Sequence, residues 1–341
     1  MKMRTLIFTL ILVFVASASF ATEIIKHENI PWAVAGDKSL TLDIYQPKKT
    51  TQPVPVVVIY HGGGWLINDN SVMDSMSQYL AEHGGYVVAN MNYRLLPDNN
   101  NTTTMNEIVE DVFGGLLWVK AHIAKYGGDP NRVAITGDSA GGHLASMILT
   151  AGRNLTSVGF QGKMLGFKPT WLPKGKTAED IAKADGLAVQ AAVISYGAFD
   201  LLGAARGGFE SAQNIFWQFA QAQPRGIFGK NIRYQSHADY YKAVSPTYLI
   251  PDSKEYRLPP QFFHVGSKDQ TTPPDSVKAY VTKLKAAGQP ATLKIYEGNN
   301  HGYMDTGCLE IFNSCFETHA VPVLEEIIPF LKQSFSENAA K

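Results

Sequence analysis

The feature that most constrains this chain is the stretch Val133–Gly142, Val-Ala-Ile-Thr-Gly-Asp-Ser-Ala-Gly-Gly, an apolar strand that runs straight into a turn with Ser139 at its apex. In Gly137-x-Ser139-x-Gly141 the serine is flanked at both second neighbours by residues without side chains. That is what a strand-to-helix turn needs if it is to be tight and still leave the hydroxyl exposed. Three fixed positions of this kind match by chance in about one chain of this length in ten, so the surroundings decide what the turn means.

Those surroundings alternate strand and helix. Leu40–Tyr45 alternates apolar and polar residues and is predicted as an edge strand, whereas Pro53–Tyr60 is a nearly continuous Val/Ile run and is predicted as a buried one. The buried run empties into His61-Gly62-Gly63-Gly64-Trp65, where the glycines let backbone N–H groups close on an anion. Gly85–Asn92 is a further predicted strand, followed by Tyr93-Arg94-Leu95-Leu96-Pro97-Asp98 and a polar surface loop, Asn99–Thr104. Ile108, Val112, Leu116, Val119 and Ile123 recur at helical spacing and predict a helix over Met105–Tyr126, stopped by Gly127-Gly128-Asp129-Pro130. Arg132–Thr136 feeds the turn and Ala140–Ala151 is the helix after it, whose N-terminus sets a partial positive charge beside Ser139. Val189–Tyr196, Gln261–Val265 and Ala291–Tyr296 are predicted strands, and Asp275–Ala287 and Val321–Phe335 predicted helices. Two excursions break the rhythm, Gly152–Leu187 with Phe160 and Trp171, and Leu201–Pro246 with Phe209, Phe216, Trp217, Tyr240 and Tyr241. Both are too aromatic for disorder and are expected to form lids or pocket walls.

Lys plus Arg equals Asp plus Glu at 30 each, which gives nucleic acid nothing to bind and points to a small substrate. Lys2 and Arg4 precede an apolar run from Leu6 to Val15 and small residues ending at Ser19-Phe20-Ala21, the pattern of a signal peptide over residues 1–21. The run is far shorter than the roughly 20 residues a membrane span needs, so no stable anchor is expected after cleavage. Removal takes two positive charges and leaves 28 basic against 30 acidic residues. Residues 22–341 are expected as a single exported domain, periplasmic or secreted, with insertions at about 152–187 and 201–246 and its oligomeric state open. Export makes Cys308 and Cys315, the only two cysteines, an expected disulfide.

A serine hydroxyl is a poor nucleophile at neutral pH and needs a base in reach, held in the right tautomer by a third group. His301, in the glycine-flanked loop Gly298-Asn299-Asn300-His301-Gly302, is the expected base, and Asp269, in Gly266-Ser267-Lys268-Asp269, the expected acid. Each follows a predicted strand, at the edge of the sheet that carries Ser139. Asp275 is the alternative acid, explained equally well as a helix-start residue after Pro273-Pro274, and His319 the alternative base, at the opening of the last helix. Backbone N–H groups of Gly63, Gly64 and Ala140 are expected to form an oxyanion hole, and Trp65, Asp138 and His143 to line the substrate pocket. No metal is expected and no cofactor, since no His/Cys cluster offers ligands.

His61-Gly62-Gly63-Gly64-Trp65 together with Gly137-Asp138-Ser139-Ala140-Gly141-Gly142-His143 resembles the carboxylesterase and lipase branch of the α/β-hydrolases, close to hormone-sensitive-lipase-like esterases. Tyr126-Gly127-Gly128-Asp129-Pro130 and Asn92-Tyr93-Arg94-Leu95 add to it, and the Asp269 loop followed by Pro273 is more similar to bacterial acetylesterase and feruloyl-esterase relatives. The resemblance covers Leu40–Thr150 and Leu258–Phe330 and leaves out the two excursions. It implies an α/β-hydrolase fold, with a mostly parallel central sheet, helices on both faces and inserted cap segments. It also implies a serine carboxylesterase that cuts a small or aromatic ester through an acyl-enzyme. A feruloyl or acetyl polysaccharide esterase, a serine peptidase or amidase, and a non-catalytic binding protein on the same scaffold stand as alternatives.

Overall fold

Strands buried on both faces need helices on both sides, and this chain has several. Val87–Met91 and Ala191–Ser195 are buried at every residue, as is Val56–Tyr60. In a computed structural model, residues 21–339 are described, so the signal peptide expected at 1–21 lies, all but its last residue, outside the described residues. The strands are β1 (Ile24–Ala35), β2 (Lys38–Pro47), β3 (Val54–Tyr60), β4 (Val87–Met91), β5 (Gly128–Asp138), β6 (Ala191–Ser195), β7 (Gln261–Gly266) and β8 (Ala291–Tyr296). They form one eight-stranded sheet in the order β1-β2-β4-β3-β5-β6-β7-β8. The run from β4 to β8 is parallel, and β1 and β2 add an antiparallel margin.

Side chains alternate across a strand, and β7 shows where the helices go. Phe262 meets Phe330 of the helix Val321–Ala339, while its neighbour Phe263 meets Tyr280 of the helix Pro274–Ala286. The two helices therefore cover opposite faces. The helix Met105–His122 packs beside Ala140–Ala151, and Asp74–Gly84 beside Val321–Ala339. The mostly parallel sheet with helices on both faces is as expected.

Several boundaries differ from expectation for physical reasons. The edge strand is β1, which carries Pro31, Asn29 at φ 54° and two register shifts against β2, so its alternation is broken in sequence. Leu40–Tyr45 lies one strand further in, with Leu40, Leu42 and Ile44 fully buried. The helix Asp74–Gly84 was not expected: it buries Met76, Ser77, Leu80 and Ala81, a narrow stripe in a polar sequence. The helix Met105–His122 gives way at Ile123–Tyr126 to a tighter 3₁₀ turn, closed by Gly127 at φ 78°. Asn99–Thr104 is more than a surface loop. Asn99, Asn100 and Asn101 are left-handed, Thr103 is buried, and Arg225 reaches in from the second excursion to the Leu96 and Thr103 carbonyls at 2.7 and 2.6 Å.

The first excursion lines neither cavity beside Ser139. It lies along the helix Met105–His122 instead, where Thr170 N–H donates to the Glu110 carbonyl and a Cβ on Gly114 would stand 2.5 Å from the Trp171 nitrogen. Phe167 packs edge-on to Phe113, and Phe160 stacks on Phe228 of the second excursion. The anchor beneath it is ionic. Arg94, just after β4, grips the fully buried Asp111 carboxylate through Nε and Nη2, both at 2.7 Å, and Thr170 Oγ1 donates to the same carboxylate. Removing one partner of a buried pair costs about 3–5 kcal/mol because the other charge stays behind unpaired. Arg94→Met should lower unfolding free energy by about that much in urea titrations. Arg94→Met combined with Asp111→Leu should lose clearly less than Arg94→Met alone. Equal losses would mean the pair is not the anchor.

Candidate active site

The order of strands reverses at β3, with β4 on one side and β5 on the other. A crevice opens at the carboxyl ends of strands where connections diverge in this way. The glycine loop leaves β3 and the Ser139 turn leaves β5 into that crevice. Tyr60 pairs with Gly137 at the last rung. Beyond it the backbones touch: a Cβ on Gly141 would lie 1.9 Å from the Tyr60 carbonyl oxygen, and one on Gly137 2.4 Å from the Gly141 carbonyl. Glycine is required at both positions. Ser139 itself takes φ 49° and ψ −113°, a backbone conformation costing about 1–3 kcal/mol for a residue with a side chain. Its N–H donates to the Ser195 carbonyl of β6 at 2.9 Å.

Later loops supply the partners. Asp269 follows β7 and His301 follows β8. His301 Nδ1 lies 2.8 Å from Asp269 Oδ2, and its Nε2 lies 3.0 Å from Ser139 Oγ. Asp269 is buried and held from three sides, by the Thr271 and Thr272 N–H groups on Oδ1, both at 2.9 Å, and by Thr272 Oγ1 on Oδ2 at 3.1 Å. An acceptor-only carboxylate on Nδ1 makes that nitrogen the donor, which leaves Nε2 free to accept the serine proton. The imidazole lies between the Tyr196 ring at 4.8 Å and the Phe312 ring at 5.5 Å. Asp275 stands instead in the first turn of Pro274–Ala286, and His319 Nδ1 is occupied at the Cys315 backbone.

Gly63 and Gly64 have φ 106° and 61°, and neither N–H donates in any loop or turn hydrogen bond among the described residues. Gly64 lines one cavity at Ser139 and Gly63 the other. Ala140 opens the helix after Ser139, where N–H groups lack partners within the helix.

The three expected pocket residues have separate places. Trp65 lines the larger cavity. Asp138 lines the smaller one and also accepts from the Gly62 N–H, so close beneath the loop that a Cβ on Gly62 would come 2.3 Å from its Oδ2. Burial raises the Asp138 carboxyl above its ordinary range, and burial together with the neighbouring Asp138 pushes Asp305 far higher. His143 lines neither cavity. It is fully buried, accepts from Trp65 Nε1 at 3.1 Å and donates from Nε2 to the Val244 carbonyl at 2.7 Å, so it positions Trp65 from behind. Sequence reasoning overlooked Thr271, Thr272, Tyr196, Asp305 and Phe312. The Asp-x-Thr-Thr run after β7 is an aspartate-centred turn that could have flagged the first two.

This fold, with a serine at a strand-to-helix elbow and His and Asp on later loops, defines an α/β-hydrolase. The chain belongs to the BD-FAE family, whose sequence profile matches residues 42–284. Among curated proteins it is 27% identical over 264 residues to a probable isoprenylcysteine alpha-carbonyl methylesterase of Arabidopsis thaliana, covering 76% of this chain and 48% of that one. It is 33% identical over 138 residues to the carboxylesterase NlhH of Mycobacterium tuberculosis, covering 40% of each. The chain thus spans about half the length of the curated relatives it matches, or less. Among solved structures it is similar to a thermophilic esterase of Thermogutta terrifontis, with TM-score 0.61, 21% identity and 91% and 92% of the two chains covered. That protein has also been solved phosphonylated by sarin, with TM-score 0.63, 20% identity and 92% and 94% covered.

Three other histidines are buried around the site. His61 donates to the Gly62 carbonyl at 2.7 Å and stacks on Tyr93, His143 braces Trp65, and His264 lies between the hydroxyls of Tyr303 at 2.6 Å and Ser195 at 2.8 Å. Burial disfavours the imidazolium and lowers all three from 6.5, to about 4 for His61 and His143 and about 3 for His264. The unfolded chain takes up protons as pH falls through 6.5 while the folded one does not, so stability is full above that pH and drains away towards pH 4. Each ring accounts for a loss on the order of 3 kcal/mol across the window. Urea unfolding from pH 7.5 to 4 should show the decline, with a shallower slope in His143→Gln. Parallel slopes for the two proteins would contradict the assignment for His143.

Proposed function

We propose that this chain is an exported serine carboxylesterase that hydrolyses a small or aromatic ester through an acyl-enzyme. The observation that carries the reading is the relay from Ser139 Oγ to His301 Nε2 at 3.0 Å and from His301 Nδ1 to Asp269 at 2.8 Å, opening into a cleft beside the N–H groups of Gly63 and Gly64, which donate in no loop or turn hydrogen bond among the described residues. Ser139 attacks the ester carbonyl, and His301 takes its proton and returns it to the leaving alcohol. Asp269 holds the imidazole and stabilises its charged form. Gly63, Gly64 and Ala140 N–H groups receive the negative oxygen, each worth about 10²- to 10³-fold in rate. Water, activated by the same histidine, then frees the acid. Family membership and relatives that are carboxylesterases support ester rather than amide chemistry. The apolar leader at residues 6–15 and the Cys308–Cys315 disulfide, S–S 2.03 Å, support export of a single hydrolase domain. Among the described residues no helix is long and apolar enough to cross a membrane.

A fluorophosphonate should add once to the mature protein, at Ser139, and short-chain p-nitrophenyl esters should turn over while aminoacyl nitroanilides do not. Ser139→Ala should remove the adduct and lower kcat by about 10⁴-fold or more, with an unchanged melting curve. Asp269→Asn should cost about 10⁴-fold by favouring the wrong imidazole tautomer. Amide turnover without ester turnover would replace this reading by a peptidase, and a folded protein that takes no adduct would replace it by a binding module.

A further inference from the structure

The cleft at Ser139 has two chambers. Phe216 and Thr271 border both and separate them. The larger, about 720 Å³, lies on the Gly64 side and mixes Trp65 and Phe209 with Arg206, Gln213 and Asn214. The smaller, about 270 Å³, lies on the Gly63 side and is walled by Ile67, Ile215, Phe219, Leu309, Ile311 and Phe312. Only the smaller chamber is lined by His301.

Half of that apolar wall comes from one short hairpin. Leu309 pairs with Ser314 and Cys308 with Cys315, and the disulfide closes the loop across the same rung. The hairpin is fixed to the chemistry at its base. Ser314 Oγ donates to the His301 carbonyl at 3.3 Å, Phe312 packs on the His301 ring, and a Cβ on Gly302 would stand 2.8 Å from Leu309 Cδ1. Three of its lining side chains are exposed, Ile311 at 68%, Ile215 at 46% and Phe219 at 52%. Large bare aliphatic and aromatic side chains that share one cavity gain free energy when something apolar covers them.

Reaction chemistry says which part of the substrate that is. In acylation the Ser139 Oγ–carbon bond forms and the bond from that carbon to the alcohol oxygen breaks. The serine proton passes to His301 Nε2 and then to the departing alkoxide. The alcohol oxygen must therefore lie within hydrogen-bond reach of Nε2, on the side of the cleft that His301 lines. Resting on the esterase reading, we infer that the leaving alcohol is an apolar group of alkyl or phenyl size, received by the disulfide-closed Cys308–Cys315 hairpin, while the acyl group occupies the larger mixed chamber. Ile311 and Phe312 are then the specificity-determining residues for the alcohol, and the disulfide holds them against the histidine.

The test compares two ester series on the mature, oxidised protein, methyl to hexyl acetate for the alcohol and methyl acetate to methyl hexanoate for the acyl group. A fully buried methylene is worth about fourfold in binding, so kcat/KM should climb along the alcohol series. Ile311→Asp should reduce the hexyl-to-methyl acetate ratio by about tenfold and leave the ratio in the acyl series within about twofold. Cys308→Ser with Cys315→Ser should act in the same direction. If that double variant does not fold, Ile311→Asp, which keeps the disulfide, decides alone. An unchanged alcohol ratio, or a loss that follows acyl length instead, overturns the assignment. A wild-type protein that turns over neither series defeats the esterase reading instead, so the two failures are told apart.

Discussion

The rest of the site depends on one steric contact, the backbone of Gly141 pressed beneath the Tyr60 carbonyl. With a Cβ excluded at 1.9 Å, the first turn of the helix Ala140–Ala151 sits directly against the end of β3. The chain between β5 and that helix then has no length to spare, and Ser139 is forced to positive φ with its hydroxyl pointing into the crevice. The same contact sets the distance between the serine and the glycine loop, because the loop begins at the next residue, His61. A strained residue survives only where its surroundings over-determine it. Here the surroundings are β3, β5 and β6, whose buried rungs on either side of Ser139 allow no slippage in register.

Within that turn, the residues around the serine have separate mechanical tasks. Asp138 reaches the Gly62 N–H and keeps the glycine loop pulled down, leaving the following N–H groups of Gly63 and Gly64 for a ligand. His143, one helical turn on, carries Trp65 on one ring nitrogen and the Val244 carbonyl on the other. The segment Gly137–His143 thus fastens three things to one helix start: the serine, the oxyanion loop and the edge of the second excursion. The carboxyl pair Asp138–Asp305 extends the tie to the loop after His301. Nucleophile, donors and base loop are braced against each other as well as against the sheet.

Legibility in the sequence tracked how local each determinant is. β3, β8 and the helix Ala140–Ala151 were readable because continuous apolar runs and glycine stops are local signals, and the order of Ser139, Asp269 and His301 followed from loops after such strands. β1 escaped because Pro31 and two register shifts break its period, and Asp74–Gly84 because its buried stripe is outnumbered by Ser, Gln and Glu. Sequence proximity to Ser139 places His143 in the pocket but ignores direction: four residues along a helix starting at the serine, it faces Trp65 and Val244 and not the cleft. The role of Thr271 and Thr272 depends on a turn around Asp269 whose partner lies a strand away. The aromatics Phe209 and Phe216 mark the second excursion as a pocket wall in the sequence, but its polar lining, Arg206, Gln213 and Asn214, comes from a six-residue helix and a loop in which no period shows.

The two excursions look alike in composition and differ in what they do, and the difference follows from where their polar anchors fall. The first is pinned through Thr170 to the Arg94–Asp111 pair and spends its aromatics on Phe113 and on Phe228, so it props the second without reaching Ser139. The second is held by Arg225 on the Leu96 and Thr103 carbonyls, by Ile227 N–H and the Tyr241 hydroxyl on Glu210, and by the Val244 carbonyl on His143. Most of these anchors lie after residue 224, whereas the part of the segment that lines the larger cavity is residues 204–216. Attachment and recognition therefore occupy different parts of the same segment. A change at Arg206, Gln213 or Phe216 alters what the cleft presents while the anchors keep the segment seated. Such a separation lets a rigid catalytic floor serve under a replaceable wall.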